Sequence, residues 1–282
     1  MHLHLATHHG MCFGVRDALR ATYAAAVREP VTILGQLVHN PVVDAQLQTL
    51  GVRQGNLGDT ASANTRRVVI TAHGAADSHH EGWQRAGYEI TDTTCPLVRK
   101  AHQALSALVL EGYHPIVIGQ HEHVEVRGLV GDFPQASVLL DLHEIPNLPE
   151  HRRLGVIAQT TQPLDRVLTL VDAIKRERAE SEVRFVDTVC HPTKQRQTAL
   201  EELCRTCQVV VVIGGRNSNN TRQLTQKAVA LGVRAHQIET ADELCPEWFA
   251  NVQDVGVTAG TSTMDETVRA VMDRLGQIAH GE

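Results

Sequence analysis

Apolar positions along this chain follow two rhythms, a helical spacing of three and four and short β-branched runs, and the pair of rhythms recurs three times. Helical spacing covers Val15 to Val27, Val98 to Leu110 and Thr193 to Cys204. A strand-sized run follows each stretch, as Val31-Thr-Ile-Leu34, Pro115-Ile-Val-Ile118 and Val209-Val-Val-Val-Ile213. A second run comes later in each third, as Val68-Val-Ile-Thr-Ala72, Leu154-Gly-Val-Ile-Ala158 and Val255-Gly-Val-Thr-Ala259. Weaker runs between the two, such as Ser137 to Leu140 and Val233 to Ile238, predict a further strand. Strands alternating with helices imply parallel sheets joined by right-handed crossovers. The pattern therefore predicts an α/β fold of three similar domains with small parallel sheets, at about 1–94, 95–187 and 188–282, in a pseudo-threefold arrangement around one centre.

Polar loops end the strong runs, and they keep register with three cysteines. The first set reads Gly-Gln-Leu-Val-His39-Asn40, Gly-Gln-His-Glu-His123-Val-Glu125 and Gly-Gly-Arg-Asn-Ser218-Asn219-Asn220. His39, His123 and Ser218 lie 27, 28 and 28 residues after Cys12, Cys95 and Cys190. The second set reads His73-Gly74, Gln159-Thr160-Thr161 and Gly260-Thr261-Ser262. Ligands of parallel sheets bind beyond the carboxyl ends of the strands, where all six loops fall.

Composition narrows the classes of function. Apolar residues make up 42% and charged residues 21% of the 282, as in an ordinary globular protein. Aromatics are only 3% and the formal net charge is −6, with no basic run, so neither base stacking nor counterion release recommends a nucleic-acid partner. No apolar stretch approaches the ~20 residues that span a bilayer. Met1 to Ala6 lacks the pattern of a signal peptide, which places the protein in the cytoplasm. In that reducing compartment, six cysteines read as buried thiols, metal ligands or catalysts rather than as a disulfide scaffold.

Cys12, Cys95 and Cys190 are equivalent under the repeat, which favours a shared role over three unrelated buried thiols. Thiolate sulfur suits iron, and three ligands instead of four would leave one iron of a cubane open to a substrate. Spacings of 83 and 95 residues are unlike the local cysteine runs of electron-carrying ferredoxins. Cys204 and Cys207 form a Cys-x-x-Cys with no second pair, and read as apolar positions closing a helix.

Ten short segments in order resemble the family of 4-hydroxy-3-methylbut-2-enyl diphosphate reductases, known as IspH. They are Gly10-Met-Cys12-Phe-Gly-Val15, Val38-His39-Asn40, Ala72-His73-Gly74, Asp92-Thr-Thr-Cys95-Pro-Leu-Val98, His123-Val-Glu125-Val-Arg-Gly128, Gln159-Thr160-Thr161, Asp187-Thr-Val-Cys190, Arg196-Gln197, Asn217-Ser218-Asn219-Asn220 and Val257-Thr-Ala-Gly-Thr-Ser262. The resemblance implies one 4Fe-4S cluster per chain, ligated by Cys12, Cys95 and Cys190. It implies diphosphate binding by His39, His73, His123, Ser218, Asn219, Asn220 and Ser262. Thr160 would contact the substrate hydroxyl, with Glu125 as proton donor and His123 beside it in the catalytic set. The implied reaction is reductive dehydroxylation of the allylic diphosphate to isopentenyl and dimethylallyl diphosphate. Electrons would come from a ferredoxin or flavodoxin, since no Gly-x-Gly-x-x-Gly fingerprint opens a βα unit.

The chain departs from the family pattern at His191, Pro192, Asn219 and Met264. These changes leave open a paralogue acting on a related allylic compound. A noncatalytic iron-sulfur sensor would need the cysteines but would give Glu125 and Thr160 no purpose. A mononuclear metal hydrolase would need a local pair such as His-Glu-x-x-His, and His121-Glu122-His123 has the wrong spacing.

Overall fold

The run Val209–Ile213 is buried at every residue, and it shows how the sheets are covered. Successive side chains of a strand point to opposite faces. Val209, Val211 and Ile213 pack with Val268, Val271 and Leu275 of the helix Asp265–His280. Val210 and Val212 face the other way, onto Leu200 and Leu203 of the helix His191–Thr206 and Leu224 and Ala228 of the helix Asn219–Ala230. A strand roofed on both faces needs no polar side, hence the unbroken valines. Each such side chain contributes roughly 1.5 to 3 kcal/mol relative to exposure.

The computed structural model describes residues 1–280. The chain folds as two compact units, one of Met1–Val15, His39–Val42 and His191–Glu282, the other of Arg16–Val38 and Val43–Cys190. The smaller unit holds one four-stranded sheet in the order Arg234–Ile238, Val209–Ile213, Asp254–Ala259, His2–Leu5. All its neighbours run parallel.

The larger unit holds two sheets, also four-stranded and parallel throughout. One runs Arg53–Gly55, Val31–Leu34, Arg67–Ile70, Glu89–Asp92. The other runs Ser137–Leu139, His114–Ile118, Arg153–Ala158, Glu182–Phe185. In this last sheet Ile116, Ile118, Val156 and Ala158 pack onto the helix Leu164–Glu177. Val117 and Ile157 pack onto the helices Pro96–Leu110 and Val124–Val130.

All three sheets share one strand order. Two central strands carry the β-branched runs, a weaker strand lies outside the first, and a fourth strand lies outside the second. The predicted helices appear as Phe13–Arg28, Pro96–Leu110 and His191–Thr206. The fourth strands, His2–Leu5, Glu89–Asp92 and Glu182–Phe185, are not among the elements that the apolar runs predict. They are edge strands of mixed polarity and no residue in them is fully buried, so they lack the continuous apolar signal. Each ends just before one of the three repeat cysteines. His2–Leu5 joins the sheet of the last third of the chain, pairing with Asp254–Ala259, so the repeat closes on itself across the ends of the sequence. Among the described residues no helix is long and apolar enough to cross a membrane.

Candidate active site

The three repeat cysteines are suspended in the same way. The backbone N–H of Cys12 donates to the carbonyl of Thr261 (2.9 Å), that of Cys95 to Ala72 (3.0 Å) and that of Cys190 to Thr160 (2.9 Å). Each acceptor lies two residues beyond the second central strand of its sheet. The residue two before each cysteine is tied to the last carbonyl of that same strand. Thr93 donates through N–H and hydroxyl to Ile70, Thr188 through its hydroxyl to Ala158, and Gly10 through its N–H to Ala259.

Asp92 and Asp187 complete their turns by accepting from the N–H two residues on, Thr94 (2.8 Å) and Val189 (3.1 Å). This is the local use that makes aspartate a turn former. The Asp-Thr-x-Cys motif is thus a bracket that fixes a thiol at the start of a helix.

All three thiols are partly exposed, and none of the six cysteines forms a disulfide. Cys207 differs, being buried against Leu203 and Val210, with Cys204 packed on the same cluster. Burial raises both of those thiols above the ordinary range, which keeps them protonated and inert. Soft donors in three matching brackets fit an iron-sulfur cluster. Among the described residues, no group of three or more His, Cys, Asp and Glu side chains is arranged to hold a metal ion.

In the larger unit, Glu125 stands in the first turn of the helix Val124–Val130 and is only 2% exposed. Its carboxyl Oε1 accepts from the N–H of Thr160 at 2.6 Å, and the Thr160 carbonyl receives the N–H of Cys190. Acid, hydroxyl residue and cysteine are therefore linked through one residue. Burial pushes the Glu125 carboxyl up to about 7, against the downward pull of its hydrogen bonds with Thr160.

His123 caps the same helix, its Nδ1 accepting the Glu125 N–H at 3.1 Å. That bond leaves the proton of the neutral ring on Nε2, as a donor facing away from the cap. His73 and His123 meet edge to face with ring centroids 5.7 Å apart. The structure brings His73, His123, Glu125, Thr160 and Cys190 into one linked set of contacts, and Cys95 hangs from Ala72, the neighbour of His73.

The smaller unit assembles amides and hydroxyls. Ser262 Oγ donates to the His39 carbonyl (3.1 Å), and Asn40 Nδ2 donates to the Ser262 carbonyl (2.6 Å). Gly215 lets the backbone of this segment close in, since a Cβ there would stand 2.6 Å from the His39 oxygen. Burial, then the Arg222 guanidinium, lowers the His39 imidazole below its ordinary value, so it is neutral at pH 7. Ser218 caps the helix Asn219–Ala230 by accepting from Thr221 N (3.3 Å). Asn220 Oδ1 accepts from Thr261 N (3.1 Å), while its buried Nδ2 has no hydrogen-bond partner among the described residues. A buried donor of that kind is available to an incoming acceptor.

Asn219 is buried, and its Oδ1 accepts from Gln223 Nε2 at 3.4 Å. His191 stacks on Phe13, with centroids 5.7 Å apart and rings 12° from parallel. Asn40 and Arg196 lie inside the motifs that carry the family resemblance, yet sequence gives them no role. Asn40 bonds the Ser262 carbonyl and the Val42 N–H, and Arg196 bonds the carbonyls of His9, Gly10 and Pro192, main-chain groups that leave no trace in residue type.

Fold and site together define an α/β protein built on a threefold repeat, with one bracketed cysteine per sheet and loops suited to an anionic ligand. A family model described as LytB protein matches residues 3–276, and the chain belongs to that family. A relative from Pelobacter propionicus, named 4-hydroxy-3-methylbut-2-enyl diphosphate reductase, is 37% identical over 282 residues and covers 99% of each chain. One of the same name from Aquifex aeolicus is 34% identical, covering 99% of this chain and 97% of its own. The solved E-1-hydroxy-2-methyl-but-2-enyl-4-diphosphate reductase of Plasmodium falciparum superposes with a TM-score of 0.90 at 25% identity, covering 96% of this chain and 86% of that one. A second solved structure, (E)-4-hydroxy-3-methyl-but-2-enyl diphosphate reductase, described as the terminal enzyme of the non-mevalonate pathway, gives 0.70 at 33% identity, covering 98% of this chain and all of that one.

Proposed function

We propose that this chain reduces 4-hydroxy-3-methylbut-2-enyl diphosphate to isopentenyl and dimethylallyl diphosphate, removing the allylic hydroxyl as water. The observation that carries the reading is the buried Glu125 carboxyl on the N–H of Thr160, whose carbonyl holds Cys190. Cys12, Cys95 and Cys190 would hold a 4Fe-4S cluster, which when bound would relay the two electrons from an external donor to the substrate one at a time. The protein's part is to bind, orient and protonate.

Hydrogen-bond donors suit the diphosphate, which is a dense acceptor. His39, Ser218, Asn219, Asn220 and Ser262 from the smaller unit, with His73 and His123 from the larger, are the groups assigned to it. Thr160 is assigned to the hydroxyl that leaves. With a pKa near 7, Glu125 holds its proton in about half of the molecules at neutral pH and gives it up readily, as a general acid needs. The three repeats, at 1–94, 95–187 and 188–282, each contribute one cysteine. Electrons are assigned to a ferredoxin or flavodoxin, and the compartment to the cytoplasm.

Anaerobic purification with iron and sulfide analysis, followed by turnover of the hydroxylated diphosphate with a chemical reductant, tests the reading. One cluster per chain and formation of both isomeric products are expected. Protein that carries the cluster and leaves this substrate untouched would direct attention to another allylic compound.

A further inference from the structure

The turns before Cys95 and Cys190 share an Asp-Thr brace that the turn before Cys12 lacks. Before Cys95 and Cys190, an Asp and a Thr tie the turn to its own backbone and to the adjoining strand. Before Cys12 the same positions read His9-Gly10-Met11, without either residue. Gly10 sits at φ +69°, a conformation open to glycine at little cost, and its N–H reaches Ala259 at 3.2 Å. That turns the carbonyls of His9 and Gly10 toward the helix His191–Thr206. Arg196 of that helix meets them. Its Nη2 donates to the Gly10 carbonyl and, at 3.4 Å, to that of His9, while Nη1 donates to Pro192 O at 2.9 Å. The residue is only 6% exposed, so a guanidinium has been taken into the protein to serve main-chain carbonyls.

We propose that Arg196 is a positioning residue for Cys12, doing from outside the turn what Asp92 with Thr93 and Asp187 with Thr188 do from within for Cys95 and Cys190. It clamps the carbonyl side of the turn while Gly10 N–H and Cys12 N–H anchor the amide side. The inference rests on the reading of these cysteines as cluster ligands, and its test separates the two.

In cluster-free protein, the alkylation rate of each cysteine by iodoacetamide is followed by mass spectrometry for the parent, Arg196→Met and Arg196→Lys. Charge-assisted hydrogen bonds of this kind set a loop's local opening, so the Met variant is expected to react roughly tenfold faster at Cys12. Cys95, Cys190 and buried Cys207 should keep their parent rates. Lysine, which reaches one carbonyl instead of two, should fall between. In reconstituted holoprotein, iron loss to a ferrous chelator should accelerate in the same order. Parent-like Cys12 rates in both variants would overturn the proposal.

If the Met variant unfolds, Cys207 becomes reactive together with the rest, and the lysine variant then decides by whether Cys12 alone changes. A selective change at Cys12 in protein that binds no iron would keep Arg196 as the clamp while removing the cluster reading.

Discussion

The loops of the two units differ in whether they can change charge. In the larger unit Glu125 is buried with a carboxyl near 7, so it ionises within the working range of pH. In the smaller unit the groups assigned to the ligand are hydroxyls, amides and the His39 imidazole, which burial and then Arg222 lower below its ordinary value. On the proposed roles, Glu125 moves a proton, and the hydroxyls and amides of the smaller unit hold their share of an anion without doing so. Proton delivery and anion binding should therefore separate by pH and by mutation. Replacing a hydroxyl by hydrogen needs a proton at a defined place, while a diphosphate needs hydrogen-bond donors.

The largest effect tests what both sets of loops serve. Cys12→Ser, Cys95→Ser and Cys190→Ser should each prevent stable cluster assembly and abolish turnover, read as iron content and absorbance after anaerobic reconstitution. Cys204→Ala and Cys207→Ala should retain iron. Loss of iron in the last two with retention in Cys12→Ser would break the repeat-based assignment.

Glu125→Gln comes next and isolates the loop that ionises. Its amide keeps the shape but has no catalytic proton, so kcat should fall by about 10² to 10⁴ with KM little changed. In the parent, kcat should decline about tenfold per pH unit above about 7, because the acid is active only while protonated. A KM effect instead would make Glu125 part of the anion site. The same shift has a stability consequence. A carboxyl raised from 4.5 to about 7 by burial makes the folded state hold its proton longer than the unfolded state does, so stability falls as pH rises from about 4.5 to 7. Glu125→Gln should therefore be more heat-stable than the parent at pH 8, by on the order of 3 kcal/mol, and no more stable at pH 4. Equal melting temperatures at pH 8 would mean that the carboxylate is better solvated than its burial implies.

The neutral set should answer in the opposite coordinate. Asn220→Ala removes a buried donor that has no partner among the described residues, and Ser262→Ala removes a hydroxyl on the His39 carbonyl. A hydrogen bond to a charged group is worth about 1.5 to 3 kcal/mol, so KM should rise roughly ten- to a hundredfold with the pH profile of kcat unmoved. Titration of initial rates at pH 6.5 and 8.5 reads both. A shifted profile would join the two sets of loops that the comparison separates.

Much of this division is visible in the sequence, though unevenly. The runs Val31–Leu34 and Val209–Ile213 appear as strands with the predicted limits, because fully covered strands write themselves as unbroken apolar letters. The edge strands His2–Leu5, Glu89–Asp92 and Glu182–Phe185 do not, since half-covered strands keep polar residues. Cys12, Cys95 and Cys190 are equivalent by spacing alone, but the bracket that makes them so runs through backbone carbonyls at Thr261, Ala72 and Thr160, which no letter encodes. Glu125 is nameable from the motif, whereas its burial, and hence its pKa, depends on packing between helix Val124–Val130 and the Thr160 loop.

The smallest expected effect concerns Asn219, where the chain departs from the family pattern within the neutral set. Asn219 is buried at the first position of the helix Asn219–Ala230, one turn before Gln223, and its bond to that residue is long at 3.4 Å. Serine is smaller and supplies a hydroxyl in place of an amide, so Asn219→Ser forfeits a weak contact and keeps a donor beside Ser218. A single neutral hydrogen bond contributes about 0.5 to 1.5 kcal/mol, so the expected change in kcat/KM on 4-hydroxy-3-methylbut-2-enyl diphosphate is about tenfold or less in either direction. That expectation is what makes the experiment informative. A rise of several hundredfold needs more than 3 kcal/mol by the relation of about 1.4 kcal/mol per factor of ten, beyond what one neutral hydrogen bond returns. It would have to come from the diphosphate itself fitting a hydroxyl and rejecting the amide, and the parent would then be built for a different ligand.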